Sequence, residues 1–200
     1  MEAFLHGIVL AFGLILPLGV QNVFVFSQGA TQPNLLRALP ASVTAAICDT
    51  VLILLAVFGL SLIVLQFEWL RITLMSVGIL FLLYMGYSIW RSSPATADQS
   101  EALPIKKQIL FALSVSLLNP HAILDTIGVI GTSALKYNGT EQMIFTTACV
   151  LISWLWFFGL TITGASFQKL DSSGNLMKIF TKCSAIFIWA TACYLAIGLL

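Results

Sequence analysis

Pro17-Leu18-Gly19-Val20-Gln21-Asn22 and Asn119-Pro120-His121-Ala122-Ile123-Leu124-Asp125 are two versions of one event: a helix-breaking proline inside an apolar stretch, with a polar side chain five residues later. At an offset of 103, Pro17 falls on Pro120 and Asn22 on Asp125. Proline removes a backbone donor and disrupts the preceding turn, so each stretch predicts a broken helix. A carboxylate in a hydrocarbon-length segment is expensive and marks a functional site. Paired breaks in corresponding halves of a chain are the best sequence pointer to a transport site.

Around these stretches the chain is 59% hydrophobic and 8% charged, with mean hydropathy +1.00. Soluble domains carry about a quarter charged residues, so a soluble globular protein is excluded. Apolar stretches at about 4–27, 39–65, 70–91, 107–131, 141–164 and 178–199 predict six membrane spans, each near the ~20 residues a bilayer needs. The interruption at Pro17 leaves five spans as the alternative, with the first segment shallow or re-entrant. The first stretch is not expected to be a signal peptide: Met1-Glu2-Ala3 has no basic region, and no small-residue cleavage site follows. A net charge of +1 with no basic cluster offers nothing to nucleic acid.

The polar segment 92–106, bracketed by Pro94 and Pro104, reads as a cytoplasmic linker. It divides the chain into a first three-helix repeat, 1–91, and a second, 107–200. Three spans per half force the second half to insert upside down. The expected fold is therefore an all-α integral membrane protein of six transmembrane helices, arranged as two inverted three-helix repeats with a proline-broken first helix in each. Phe58-Gly59-Leu60-Ser61 and Phe158-Gly159-Leu160-Thr161 echo the division at an offset of 100. Small residues (Ala45, Ala46, Ala56, Gly59, Gly159, Gly164, Ala185, Ala190, Ala192) are expected at helix contacts. Arg37, Arg91, Lys106, Lys107, Lys169, Lys178 and Lys182 fall on one side of the six spans, against Arg71 and Lys136 on the other. Loops 1, 3 and 5 are thus expected in the cytoplasm and both termini outside. Trp69 and Trp90 suit the two interfaces.

Three ionisable side chains lie well inside the spans: Asp49, His121 and Asp125. His121 and Asp125, at i and i+4, share a helix face. Each acid must be protonated, paired or wet, and no Lys or Arg lies at comparable depth. Two deep acids without a deep base leave room for a cation from outside: a proton, a metal ion or a basic substrate. The half-helix after each break turns free N–H groups and a positive dipole end toward its neighbour, which suits a carboxylate, and Gln21 and Asn22 add amides there. Such a site fits a zwitterion with an extra positive charge, as in arginine and lysine. Trp154 and Phe158 are candidates for a cation–π wall. The helix breaks are assigned to Pro17, Gly19 and Pro120, and the substrate-binding set to Asp49, Asp125, Gln21, Asn22, Asn119 and His121.

Leu16-Pro17-Leu18-Gly19-Val20-Gln21-Asn22-Val23-Phe24-Val25, Cys48-Asp49 and Leu118-Asn119-Pro120-His121-Ala122-Ile123-Leu124-Asp125-Thr126 resemble the LysE family of amino-acid exporters. With Ser153-Trp154-Leu155-Trp156-Phe157-Phe158-Gly159, the resemblance is greatest to the lysine/arginine exporter branch and covers the whole chain. Val20 departs from it, standing where the family commonly has a second proline. The resemblance implies secondary export through the bacterial inner membrane, with the two aspartates as the residues that matter. The expected partners are a cationic amino acid, protons and the lipid bilayer, with self-association left open. No enzyme activity, catalytic residue, metal or cofactor is expected, and no nucleotide motif is present.

Three other classes stand beside this reading. Export of neutral amino acids or of a small cation remains the alternative within transport, although the acids lack the Met, Cys and His donors of a selective metal site. A thiol-relay membrane protein is disfavoured, because Cys48, Cys149, Cys183 and Cys193 lie away from both breaks and read as small buried hydrophobes. The signature motifs of an intramembrane protease are missing.

Overall fold

The computed structural model describes residues 1–16, 19–60, 68–91, 102–170 and 175–197, and all secondary structure among them is helical. In chain order the helices are α1 (Glu2–Ile15), α2 (Val20–Thr31), α3 (Leu35–Leu55), α4 (Glu68–Arg91), α5 (Ile105–Leu117), α6 (Pro120–Asp125), α7 (Thr140–Leu170) and α8 (Asn175–Ile197). After α6 the chain winds through a π-helical segment, Thr126–Gly131, and a last α-turn, Thr132–Ala134.

Three described helical stretches are long and apolar enough to cross a bilayer: Leu35–Gly59, Thr140–Phe167 and Lys178–Ile197. The pair α1 and α2 meets the same test as one span bent by 80°, and Met75–Arg91 is a shorter apolar helix. The first predicted span thus corresponds to the bent pair α1 and α2. Pro17 itself lies outside the described residues, as does linker 92–101. The helix after the linker starts at Ile105, just inside the boundary drawn from sequence.

Local chemistry accounts for the starts and stops. The Asn34 side chain accepts a hydrogen bond from the Arg37 amide at 3.0 Å, capping α3. The far end of α3 passes into a kink within Ala56–Leu60, where Phe58 and Gly59 leave helical geometry and Gly59 takes φ 122°. That region favours a residue without a Cβ. Gly159 sits instead inside the continuous helix α7 with open space at its Cβ position. The match of Phe58-Gly59-Leu60 to Phe158-Gly159-Leu160 is thus one of sequence, not of backbone.

Packing runs through α7. It lies against α1, α2 and α3; α5 lies against α3, and α4 against α8. A Cβ on Gly164 would overlap the Phe26 carbonyl oxygen, and one on Gly29 would overlap that of Thr161. These two glycines let the α2 and α7 backbones touch, the close approach expected where no hydrophobic drive separates helix from lipid. Ser42 and Thr161 join α3 to α7 by a hydroxyl–hydroxyl hydrogen bond. Ala45, Ala46, Ala56, Ala185 and Ala192 are buried at contacts, whereas Gly59, Gly159 and Ala190 are exposed, so three of the small residues do not serve packing. Cys48 and Cys149 are buried but Cys183 and Cys193 are exposed; on a helix bathed in lipid an outward thiol costs little.

At one end of the bundle three glutamines are buried together. The Gln32 amide donates to Gln28 Oε1 at 3.1 Å and to the Leu103 carbonyl at 3.1 Å. The Gln108 amide donates to that carbonyl at 2.8 Å and to that of Arg37 at 3.0 Å. This cluster ties the end of α2 and the start of α3 to the entry of α5.

Candidate functional site

A cavity of about 180 Å³ opens where the two interrupted regions meet α3, α7 and α8. That is more than ten times the space a single water needs. Five of the six proposed substrate-binding residues line it: Gln21, Asn22, Asp49, Asn119 and Asp125, together with Gly19 from the first break. The sixth, His121, lies on α6, but its side chain is outside the described set, as is that of Pro120.

Asp49 points from α3 toward α7, where the Ser153 hydroxyl donates to its Oδ2 at 2.5 Å. This hydrogen bond holds the Asp49 side chain in one orientation. Asp125 closes α6, one turn after Pro120, and Asn119 beside that break is 7% exposed. Both acids thus face one space, and the described lining includes no Lys or Arg. The remaining wall is apolar (Ile53, Leu82, Ile130, Phe157 and Ile188 among others), with Thr126 and Thr191 adding hydroxyls. The Thr126 hydroxyl is turned back to the Ala122 carbonyl at 2.7 Å.

At the first break the amides divide. Asn22 Nδ2 donates to the Ile15 carbonyl at 2.7 Å, satisfying an acceptor left open where α1 ends. Its Oδ1 accepts from the Trp156 indole at 3.2 Å. Gln21, 8% exposed, turns its Nε2 to no acceptor among the described residues.

The proposed aromatic wall is elsewhere. Trp154 and Phe158 pack against each other with ring centroids 5.9 Å apart, but neither lines the cavity. The Trp154 indole donates to Thr50 Oγ1 at 3.0 Å. Ser153 and Phe157, one position back along α7, face the cavity in their place. Sequence reasoning missed Ser153, Phe157, Thr126 and Thr191. Only Ser153 had a usable signal, as a hydroxyl at mid-depth of a span facing one that holds an acid.

Comparison with known proteins bears on this geometry. The family model described as LysE type translocator matches residues 12–199. "Putative amino-acid transporter YisU" of Bacillus subtilis (strain 168) is 56% identical over 200 residues, covering 100% of this chain and 91% of that protein. "Arginine exporter protein ArgO" of Escherichia coli (strain K12) is 31% identical over 199 residues, covering 96% of this chain and 92% of its own length. The protein of that name from Shigella flexneri matches to the same extent. No solved structure matches.

Proposed function

Because this chain belongs to the LysE type translocator family, we propose that it is a secondary transporter exporting basic amino acids, arginine or lysine, across the bacterial inner membrane in exchange for protons. It is a translocator, not an enzyme. The observation that carries the basic specificity is the shared cavity of Asp49 and Asp125, without a Lys or Arg in its described lining. The arginine exporters that match along nearly the whole chain lend support.

Energetics require coupling. Moving a monovalent cation out of an inside-negative cell costs about 2.3 kcal/mol per 100 mV, so a pore would fill the cell rather than empty it. One proton entering for each cation leaving cancels the electrical cost. In this reading Asp49 and Asp125 hold either a proton or the cationic group of the substrate, never both. The helix start and the Gln21 amide take the α-carboxylate. Rocking of one half against the other then exposes the site alternately to each side.

The halves are the inverted three-helix repeats 1–91 and 107–200 joined by linker 92–106, with six spans, loops 1, 3 and 5 cytoplasmic and both termini outside. The pairing of helices supports this arrangement. Exchange of halves maps the contact of α1 and α2 with α7 onto that of α5 with α3, and returns the α3–α7 and α4–α8 contacts to themselves. The cavity falls at the junction of the two sets, where repeat transporters hold their substrates.

The test is efflux of labelled arginine from proteoliposomes with and without an imposed proton gradient. Gradient-dependent efflux that vanishes in Asp125→Asn and in Asp49→Asn is the expected result. No arginine or lysine flux from folded protein would reject the basic specificity in favour of a neutral amino acid, the reading favoured by the apolar remainder of the wall.

A further inference from the structure

The two neighbouring amides at the first break do different work. Gln21 opens α2 directly after Gly19, which caps the helix in an extended conformation and contributes no side-chain hydrogen bond. The first amides of a helix lack intrahelical acceptors, and the positive end of the helix dipole lies among them. Gly19, Val20, Gln21 and Asn22 all line the cavity, so this end meets the space holding the two acids. A helix start alone is not a ligand site. Here a second observation accompanies it: Gln21 is more than nine-tenths buried, and its Nε2 has no partner among the described residues. An amide removed from water without an acceptor is costly, and the cost is recovered only when an acceptor arrives. Asn22 is in the opposite state. Its Nδ2 is bonded to the Ile15 carbonyl and its Oδ1 to the Trp156 indole. Trp156 is itself braced edge-on by Phe12 of α1, with ring centroids 5.6 Å apart.

We infer that Gln21 and the start of α2 form the carboxylate subsite and touch substrate, whereas Asn22 and Trp156 are positioning residues that hold α1 and α2 at the angle presenting it. This rests on the transport reading above but not on a basic side chain, since every amino acid carries the carboxylate. The acids and this subsite then take opposite ends of one zwitterion. Ser153 and Trp156, on the same turn of α7, hold the two ends: the first orients Asp49, the second keeps the break in shape.

The experiment is thermal stabilisation of the purified protein by arginine, leucine and their C-terminal amides, in the parent, Gln21→Glu, Gln21→Met and Trp156→Phe. In the parent, at least one free acid is expected to bind about tenfold or more tighter than its amide, the worth of a hydrogen bond to a charged group. Gln21→Met is expected to shrink that preference, and Gln21→Glu to abolish or invert it by setting two carboxylates together. Trp156→Phe is expected to weaken acid and amide alike and leave their ratio unchanged. Loss of preference in Trp156→Phe but not at Gln21 would overturn the division of roles. The absence of any acid-over-amide preference in the parent would overturn the subsite. Preference for leucine over leucinamide without any arginine binding would reject the basic specificity and keep the subsite.

Discussion

The two breaks begin from similar sequence and are put to different use. After the first, α2 is a 12-residue helix buried along almost its whole length and pressed to α7 through Gly29 and Gly164. After the second, α6 lasts six residues before the backbone widens into a π-helical segment. The first presents neutral amides, the second an acid. A π-helical stretch is rare and frequently marks a functional position, whereas a helix locked by backbone contact has little freedom. The difference teaches that a repeated sequence motif need not give a repeated structure: one copy leads into a helix pressed against α7, the other into a short helix and a π-helical segment that brings an acid to the same cavity.

Replacing the acids tests that contrast most severely. Asp125→Asn makes the second break as neutral as the first, and gradient-driven efflux is expected to fall to background; Asp49→Asn is expected to do the same. Coupled efflux surviving in both would remove the acids from the mechanism. Ser153→Ala should act less drastically, because it leaves Asp49 in place and removes the donor that orients it. Hydrogen bonds to charged groups are worth about 1.5–3 kcal/mol, so a loss of about tenfold in efflux rate is expected, with normal yield of folded protein.

The fixity of the first break is read from Gly164→Ala. The added methyl meets backbone of α2 rather than a flexible side chain, and overpacking of this kind costs about 1–3 kcal/mol. A lowered melting temperature is the expected outcome. An unchanged one would show that α2 has slack, and the contrast between the breaks would weaken. Gly159→Ala is the matching control, since its Cβ would meet open space.

The smallest effect lies where the regions flanking the two breaks are joined at the surface. Lys136, beyond the second, donates to Glu2 Oε1 at 2.8 Å at the start of α1. The hydrogen bond and charge of Lys136 hold the Glu2 carboxyl below its ordinary value of 4.5, and the same contacts raise Lys136. A lowered carboxyl stabilises the fold above its unfolded-state value and loses that contribution as pH falls through the folded one. Glu2→Gln should therefore lower the melting temperature slightly at neutral pH and not at all in strong acid. Both groups are exposed, so the difference is expected to be the smallest of the series.

Much of this was legible from sequence for a physical reason. Gln21, Asn22, Asp49, Asn119 and Asp125 stand out because polar atoms are costly in hydrocarbon, and the structure brings all five to one cavity. Ser153 was hidden because serine is cheap in a helix, where it can bond its own preceding turn. Trp154 and Phe158 misled because i, i+4 spacing fixes which residues share a face but not what the face meets. Ser153 and Phe157 have that spacing too, one position earlier, and theirs is the face turned inward. The division of labour between Gln21 and Asn22 depends on the Ile15 carbonyl and the Trp156 indole, neither of which their spacing reveals.

The interleaving of the halves has a consequence for how the chain is made. Each helix of the first half has a major neighbour in the second: α1 and α2 on α7, α3 on α5 and α7, α4 on α8. Synthesis delivers them in order, so Asp49 emerges more than a hundred residues before the serine that receives it. Until α7 follows, Asp49 is without the Ser153 hydroxyl, and the faces of α1, α2 and α3 that pack on α7 stay uncovered.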